Sequence, residues 1–413
     1  MRRNTVRCLV IGGLLAVLSV ALVGAIPHLY VDPDWRPRWM IDFSVYLAGG
    51  EAVRHGISLY AVTVVSPVFG PLVYTYPPFD AAVIFAPLSW LPLRTAYELW
   101  NVLAMIALAG VVWLTLGVVG LRRPWPRAGL TALCLALSVA LVPVGYNFVV
   151  GQINTVIVLL VLLDFRRPAG GRWQGVGVGL AAAIKITPLI FIGYFLLTRR
   201  WRAALTSGVS FLVTVAIGFA VRPADSLRYW GGLLFDPTRV GGSQITCNQS
   251  ISGLFARLFH STHTQLWWLP VLLVVAAYGL AVATMAHRSG DDFFGMLLTA
   301  VTGLLVTPIS WEHHWMYVVP LLIWLGARAY QRRSVVVGAA AAALAFVCLR
   351  RWYMTFGVPP NPPVPLALDS WQQLTASGIA ICGLVLLAVT PVWLRHAEFR
   401  APSVIREPVP SAA

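Results

Sequence analysis

Apolar runs separated by short polar turns repeat along most of the chain, and the turns alternate in chemistry. Arg122-Arg123, Arg166-Arg167, Arg199-Arg200, Arg332-Arg333 and Arg395 mark one set of segment ends. The stretch around Asp42, then Tyr76-Pro77-Pro78, Gly151-Gln152-Ile153-Asn154, Lys185 and Trp311-Glu312-His313-His314 mark the other. Loops rich in Lys and Arg stay on the cytoplasmic side of a membrane. The alternation therefore predicts that the unusual polar chemistry gathers at the outer face.

Many of the runs approach the ~20 residues that carry a helix across ~30 Å of hydrocarbon, which predicts an all-α integral membrane protein rather than a barrel. A first span ends near Pro27. The outer segment that follows reaches about residue 78 and holds an amphipathic interfacial helix predicted over 42–60. The run 79–93 is short and marked by Pro87 and Pro92, so it reads as a re-entrant piece. Further spans are predicted over 95–120, 128–144, 153–165, 174–186, 188–198, 202–221, 265–287, 292–308, 314–328, 334–349 and 372–394. With the first they make about twelve crossings, with both termini cytoplasmic. The outer loops are then 27–78, 145–152, 222–264, 309–313 and 350–371, in a single domain over 1–400 with a short cytoplasmic tail over 401–413.

Two of these segments, 174–186 and 188–198, are too short to cross alone. Arginines flank the pair on both sides, Arg166, Arg167 and Arg172 before it and Arg199, Arg200 and Arg202 after it. Both clusters stay inside only if the chain climbs to Lys185, turns at Thr187-Pro188 and descends. Proline suits such a break because it lacks a backbone donor and clashes with the preceding turn. Broken helices at membrane depth need protein or a wet cavity over the freed backbone, so the hairpin predicts a cavity.

Composition supports this picture. Of 413 residues, 58% are hydrophobic and only 11% charged, against roughly 25% charged in soluble domains. The mean hydropathy is +0.77. A net charge of +15 would suggest nucleic acid in a soluble chain. Here the arginines lie in short turns between spans, where orientation explains them and membrane lipids replace nucleic acid as the partner. The five cysteines form no C-x-x-C pair, so neither a disulfide framework nor a zinc site is indicated.

Asp42 at a membrane interface suits a general base or an orienter of a hydroxyl; it equally suits the N-cap of the helix that follows. His313 and His314 are candidate proton carriers near neutral pH. Neighbouring helical positions point about 100° apart, so one of the two is expected at any given site. Lys185 is the sole lysine of the chain and lies inside an apolar stretch. An ionisable group there is a functional candidate, here as a point charge for an anionic phosphate, with Arg350 and Arg351 as possible helpers. The amides of Gln152, Asn154, Asn248 and Gln249 offer both donors and acceptors to sugar hydroxyls. Tyr46, Tyr76, Trp311 and Glu312 complete the candidate substrate contacts. No metal is called for, since Glu-His-His lacks the spacing of a zinc motif.

Taken together the motifs resemble glycosyltransferase family 87, the polyprenyl-phosphate-sugar-dependent transferases of the GT-C superfamily. The resemblance rests on Asp42-Phe43-x-Val45-Tyr46, Tyr76-Pro77-Pro78-Phe79, Gly151-Gln152-x-Asn154, Ala183-Ile184-Lys185-x-Thr187-Pro188, Asn248-Gln249-Ser250 and Ser310-Trp311-Glu312-His313-His314, in that order. It implies a multi-span scaffold with a catalytic acid in the first outer loop, which maps to Asp42. It implies transfer of a mannosyl residue from polyprenyl-phosphate-mannose, a lipid co-substrate rather than a cofactor. The acceptor is a lipid-linked glycan: a phosphatidylinositol mannoside, lipomannan or lipoarabinomannan outside the plasma membrane. An α-1,2 product formed by inversion is expected, with Asp42, His313 or His314 as base. The rival readings are transfer of arabinofuranose by the same family and a non-enzymatic flippase for lipid-linked sugars. The sequence indicates no protein partner.

Overall fold

The computed structural model describes residues 2–30, 40–66, 70–261, 267–359 and 367–395. The expected tail over 401–413, part of the proline-rich stretch near 360 and part of the first outer loop lie outside these residues. Among the described residues the chain is helical apart from one small hairpin, β1 (Thr63–Ser66) paired antiparallel with β2 (Gly70–Val73).

The helices follow the predicted apolar runs closely. They are α1 (Arg2–Tyr30), α2 (Ile41–His55), α3 (Pro78–Leu88), α4 (Leu93–Val118), α5 (Pro124–Ser138), α6 (Val142–Val150), α7 (Asn154–Phe165), α8 (Val176–Ile184) and α9 (Thr187–Leu197). Then come α10 (Trp201–Val221), α11 (Pro223–Gly231), α12 (Ile251–Leu258), α13 (Trp268–Arg288), α14 (Asp292–Val306), α15 (Val318–Arg332), α16 (Val335–Cys348), α17 (Ser370–Ala376) and α18 (Gly378–Arg395). A 3-10 helix, Glu312–Tyr317, leads into α15.

Length separates true spans from shorter pieces. Among the described residues, four helices, α4, α10, α13 and α18, are long and apolar enough to cross a membrane, and a fifth is added if α5 and α6 count as one bent span. These helices do not by themselves confirm the expected twelve crossings. The predicted span 128–144 is instead broken between α5 and α6 by a 78° bend. Pro143 has no N–H to bond back to Val139, so the helix stops and restarts there. Apolar helices of 10–17 residues account for several of the other runs. The multi-pass helical membrane architecture stands.

The helix expected over 42–60 is α2, which is shorter than predicted. Gly56, at φ 68°, ends it in the left-handed region, with Gly56 N–H bonded to the Val53 carbonyl and Ile57 N–H to that of Ala52. Its N-cap is Met40, so Asp42 is not the cap. The carboxylate lies in the first turn, where the helix dipole favours negative charge.

The short segments around Lys185 form the expected hairpin. At nine residues, α8 is only about 14 Å long. It starts beside the beginning of α10: the Ser210 hydroxyl donates to the Val176 carbonyl, and a Cβ on Gly175 would strike the Ala203 carbonyl. Gly179 packs one turn further along, against Ser207 and Ser210. So α8 runs parallel to α10, whereas α9 reaches α10 through the tight turn at Thr198–Arg200 and runs opposite to it. Both arginine clusters therefore sit at one end of the bundle and Lys185 at the other.

Candidate functional site

Five pieces of chain meet at the end of the bundle that carries Lys185: the start of α2, the stretch at Tyr76 before α3, the turn from α6 to α7, the α8–α9 break and the 3-10 helix. The α6–α7 turn can approach α2 because residue 151 is glycine. Its φ is 74°, and a Cβ there would lie 2.5 Å from the Phe43 Cβ. The close approach sets Gln152 directly beside Asp42.

Gln152 is buried and joins opposite charges. Its Nε2 donates to Asp42 Oδ2 at 2.8 Å, and its Oε1 accepts from Lys185 Nζ at 3.0 Å and from the Tyr46 hydroxyl at 2.8 Å. Turning the amide over would set its NH₂ against the ammonium and its oxygen against the carboxylate, so the network fixes its orientation. The Tyr46 and Tyr76 hydroxyls lie 2.9 Å apart, and Tyr46 stacks on Phe85 with ring centroids 4.5 Å apart. Gln152 also reaches the Tyr76 hydroxyl at 3.3 Å.

Lys185 is the hub of the other half. Besides Gln152 it donates to Asn154 Oδ1 at 2.8 Å and meets His314 Nε2 at 3.1 Å, with the Tyr76 ring centroid 5.6 Å away. With Lys185 as an ammonium, which has only protons to offer, His314 Nε2 is the acceptor and its ring a neutral imidazole protonated on Nδ1. Asn154 ties this half to the 3-10 helix, donating to the His313 carbonyl at 2.8 Å and to Asn147 Oδ1 at 3.1 Å.

Both histidines face the site, contrary to the expectation that only one would. Their rings stand nearly perpendicular with centroids 4.9 Å apart, His314 toward Lys185 and His313 toward Asp42. This works because the site wraps around the 3-10 turn instead of lying along one face. His313 Nε2 is buried without a hydrogen-bond partner, 3.9 Å from Asp42 Oδ2. Burial, then the charges of Lys185 and Arg351, hold the His313 imidazole well below its usual pKa. Desolvation raises the Asp42 carboxyl above its ordinary value, outweighing the Gln152 hydrogen bond and the Lys185 charge, although 28% of its side chain remains exposed.

The remaining candidates lie elsewhere in the hydrogen-bond pattern. Asn248 donates to the Ser243 and Pro308 carbonyls and accepts from Ser250 N–H and Ser310 N–H. Gln249 donates to the Thr246 and Ala376 carbonyls and accepts from Ile379 N–H and Ala380 N–H. Each amide is fully engaged with backbone, so neither has a group left over for a sugar hydroxyl. Trp311 forms a bridge with Asn248. Glu312 is 3% exposed and accepts from Arg351 Nε at 2.7 Å and from the Tyr353 hydroxyl at 3.1 Å. Arg351, stacked 3.4 Å from the Tyr146 ring centroid, is thereby turned to Glu312, and Arg350 is exposed. Asn248, Gln249, Trp311, Glu312 and Arg351 assemble a brace beside the site, and the structure brings neither them nor Arg350 to Asp42 or Lys185.

Sequence reading missed Asn147 and Asp80. Asn147 is fully buried, donating to the Gln152 carbonyl and the Thr155 hydroxyl. Asp80 is fully buried, with one oxygen 2.5 Å from the Tyr74 hydroxyl and the other unpaired. The signal for Asn147 was its apolar setting, Val142 to Val150. Among the described residues, no group of three His, Cys, Asp or Glu side chains is placed to hold a metal ion.

The chain is 34% identical over 366 residues to a polyprenol-phosphate-mannose-dependent alpha-(1-2)-phosphatidylinositol mannoside mannosyltransferase of Mycobacterium tuberculosis, covering 85% of this chain and 84% of that one. It is 32% identical over 385 residues to the corresponding pentamannoside mannosyltransferase of Mycolicibacterium smegmatis, covering 91% and 88%. No solved structure matches. The profile of glycosyltransferase family 87 matches residues 74–308, which include Tyr76, Gln152, Asn154 and Lys185. The chain belongs to glycosyltransferase family 87.

Proposed function

We propose that the protein transfers a mannosyl residue from polyprenyl-phosphate-mannose to a phosphatidylinositol mannoside or related lipid-linked mannan, forming an α-1,2 linkage at the outer face of the plasma membrane. The named activities of the relatives support both substrate classes. The observation that carries the chemistry is the orphaned His313 Nε2, 3.9 Å from Asp42 Oδ2. Two hydrogen bonds of about 2.8 Å can converge on one oxygen from atoms so spaced. An acceptor hydroxyl fits that position, donating to Asp42 and bonded to His313.

Asp42 takes the hydroxyl proton as the oxygen attacks the anomeric carbon. The bond from that carbon to the phosphate oxygen breaks on the opposite face, and the leaving phosphate keeps the electron pair. Inversion turns a β-linked donor into an α product. Lys185 stabilises the departing phosphate, which would replace one of the lysine's neutral acceptors with an anionic one and so strengthen the contact. Gln152 holds base and cation in register. No cofactor enters these steps; the lipid donor is a co-substrate.

The test is purified protein in lipid nanodiscs with polyprenyl-phosphate-mannose and a phosphatidylinositol mannoside, the product linkage read by NMR. An α-1,2 mannoside is expected. Transfer from polyprenyl-phosphate-arabinose with none from the mannose donor would overturn the reading.

A further inference from the structure

The α8–α9 break opens on a cavity of about 470 Å³. Ile186 and Thr187, the two residues after Lys185, line it, so it begins next to the lysine proposed to hold the leaving group. One wall is apolar and formed by membrane helices, with Ala276 on α13 and Val306 on α14. That wall reaches toward the bilayer, because the neighbouring Leu273 and Val274 of α13 are 61% and 66% exposed. The volume falls within the ~300–1,000 Å³ of small-ligand sites, room for part of a lipid chain but not all of it.

The stretch 229–240 adds a mixed lining, Leu233, Leu234 and Val240 beside Tyr229 and Asp236, and carries a second cation, Arg239. Its Nη2 donates to the Tyr74 carbonyl at 2.8 Å, and its guanidinium lies 5.2 Å from the Tyr60 ring centroid. Tyr76, whose ring neighbours Lys185, is two residues further on. Two residues of chain span at most about 7 Å, so Lys185 and Arg239 flank one short segment. Asp236 also lines the cavity, but its Oδ1 accepts from Thr238 N–H at 3.1 Å.

An apolar lining that carries Arg239 and begins at the residue after Lys185 matches a lipid chain attached to a phosphate. We propose that this cavity seats the first isoprene units of the donor, with Arg239 as a second cation beside the donor phosphate. The inference rests on the mannosyl transfer proposed above and assigns the donor to the α9–α13–α14 side, leaving the Asp42–His313 side to the acceptor.

Steady-state kinetics of the full chain in nanodiscs test this with Arg239→Met, Arg239→Lys and Ala276→Phe. Loss of a charge-assisted contact should raise the donor KM about tenfold or more in Arg239→Met, with the acceptor KM unchanged. Arg239→Lys should recover most of that loss. Ala276→Phe should raise the donor KM by filling the apolar wall, and should weaken inhibition by sugar-free polyprenyl phosphate. If Arg239→Met fails to fold, Ala276→Phe, at a half-exposed helical position, still decides. A raised acceptor KM with an unchanged donor KM would give the cavity to the acceptor and overturn the proposal, as would unchanged values for both substrates. If the wild type does not transfer mannose, the mannosyl reading fails by itself. Binding of sugar-free polyprenyl phosphate to wild type, lost in Ala276→Phe, would then still support the cavity.

Discussion

Glu312 and His313 are neighbours in sequence, yet they belong to polar clusters of opposite character. On the Glu312 side, Asn248, Gln249, Arg351 and Tyr353 close their hydrogen bonds on backbone groups or on a buried ion pair. On the His313 side, Asp42, Gln152, Asn154, Lys185 and His314 turn toward one another's ionisable groups, and one ring nitrogen is left unpaired. A fully satisfied polar network rigidifies a fold, whereas buried charge with unmet valence is where function concentrates. The first cluster braces the loop that aims the second. Substitutions should therefore separate the two by what they damage, turnover or stability.

The largest effect is expected at Asp42. Asp42→Asn keeps the shape of the side chain but removes the base, and should lower kcat by roughly 10²–10⁴-fold with an unchanged melting temperature. In the wild type, activity is fully present above the pKa of Asp42 and is lost as pH falls through it. Because burial raises that carboxyl, the acid limb should lie above the ordinary value of about 3.9. The Asn variant should lack the limb altogether. Wild-type turnover in Asp42→Asn would remove the carboxylate from the mechanism and dissolve the contrast between the clusters.

Glu312→Gln should give the reverse signature. It leaves Arg351 buried without its counter-charge, a change that costs about 3–5 kcal/mol in such settings. Thermal unfolding should show the loss, while turnover per folded molecule stays within a few-fold of wild type. A stable Glu312→Gln protein with a collapsed kcat would move Glu312 into the reaction.

Lys185→Met comes next. Losing one electrostatic stabiliser of a developing anion should lower kcat by roughly 10²–10³-fold. Lys185→Arg should recover only part, since a planar fork does not reproduce three contacts made from a single nitrogen. A Lys185→Met protein that loses stability but turns over normally would place the lysine with the brace.

These contrasts explain what was legible beforehand. Hydrophobic runs located nearly every helix, because burial in lipid imposes length and composition on each. Lys185 stood out because an ionisable group in an apolar stretch needs a reason. The four amides could not be sorted in advance. Gln152 and Asn248 look alike in sequence, and only the carbonyls and N–H groups that the fold brings to Asn248 reveal it as a clamp. The break at Pro143 was likewise hidden, since the residues on both sides are apolar enough to continue one span.

The smallest predicted effect probes the boundary of the reactive cluster. The Tyr76 hydroxyl touches both Tyr46 and Gln152, but its ring is what faces Lys185. Tyr76→Phe keeps the ring and removes one hydrogen-bonding group, for a net change of about 0.5–1.5 kcal/mol. If that loss falls on the orientation of Gln152, kcat should drop by roughly 2–12-fold, with both KM values and the melting temperature nearly unchanged. The same loss seen only as a lower melting temperature would make Tyr76 a packing residue. The reactive cluster would then end at Gln152, and the aromatic wall of Tyr46, Tyr76 and Phe85 would serve as a second brace.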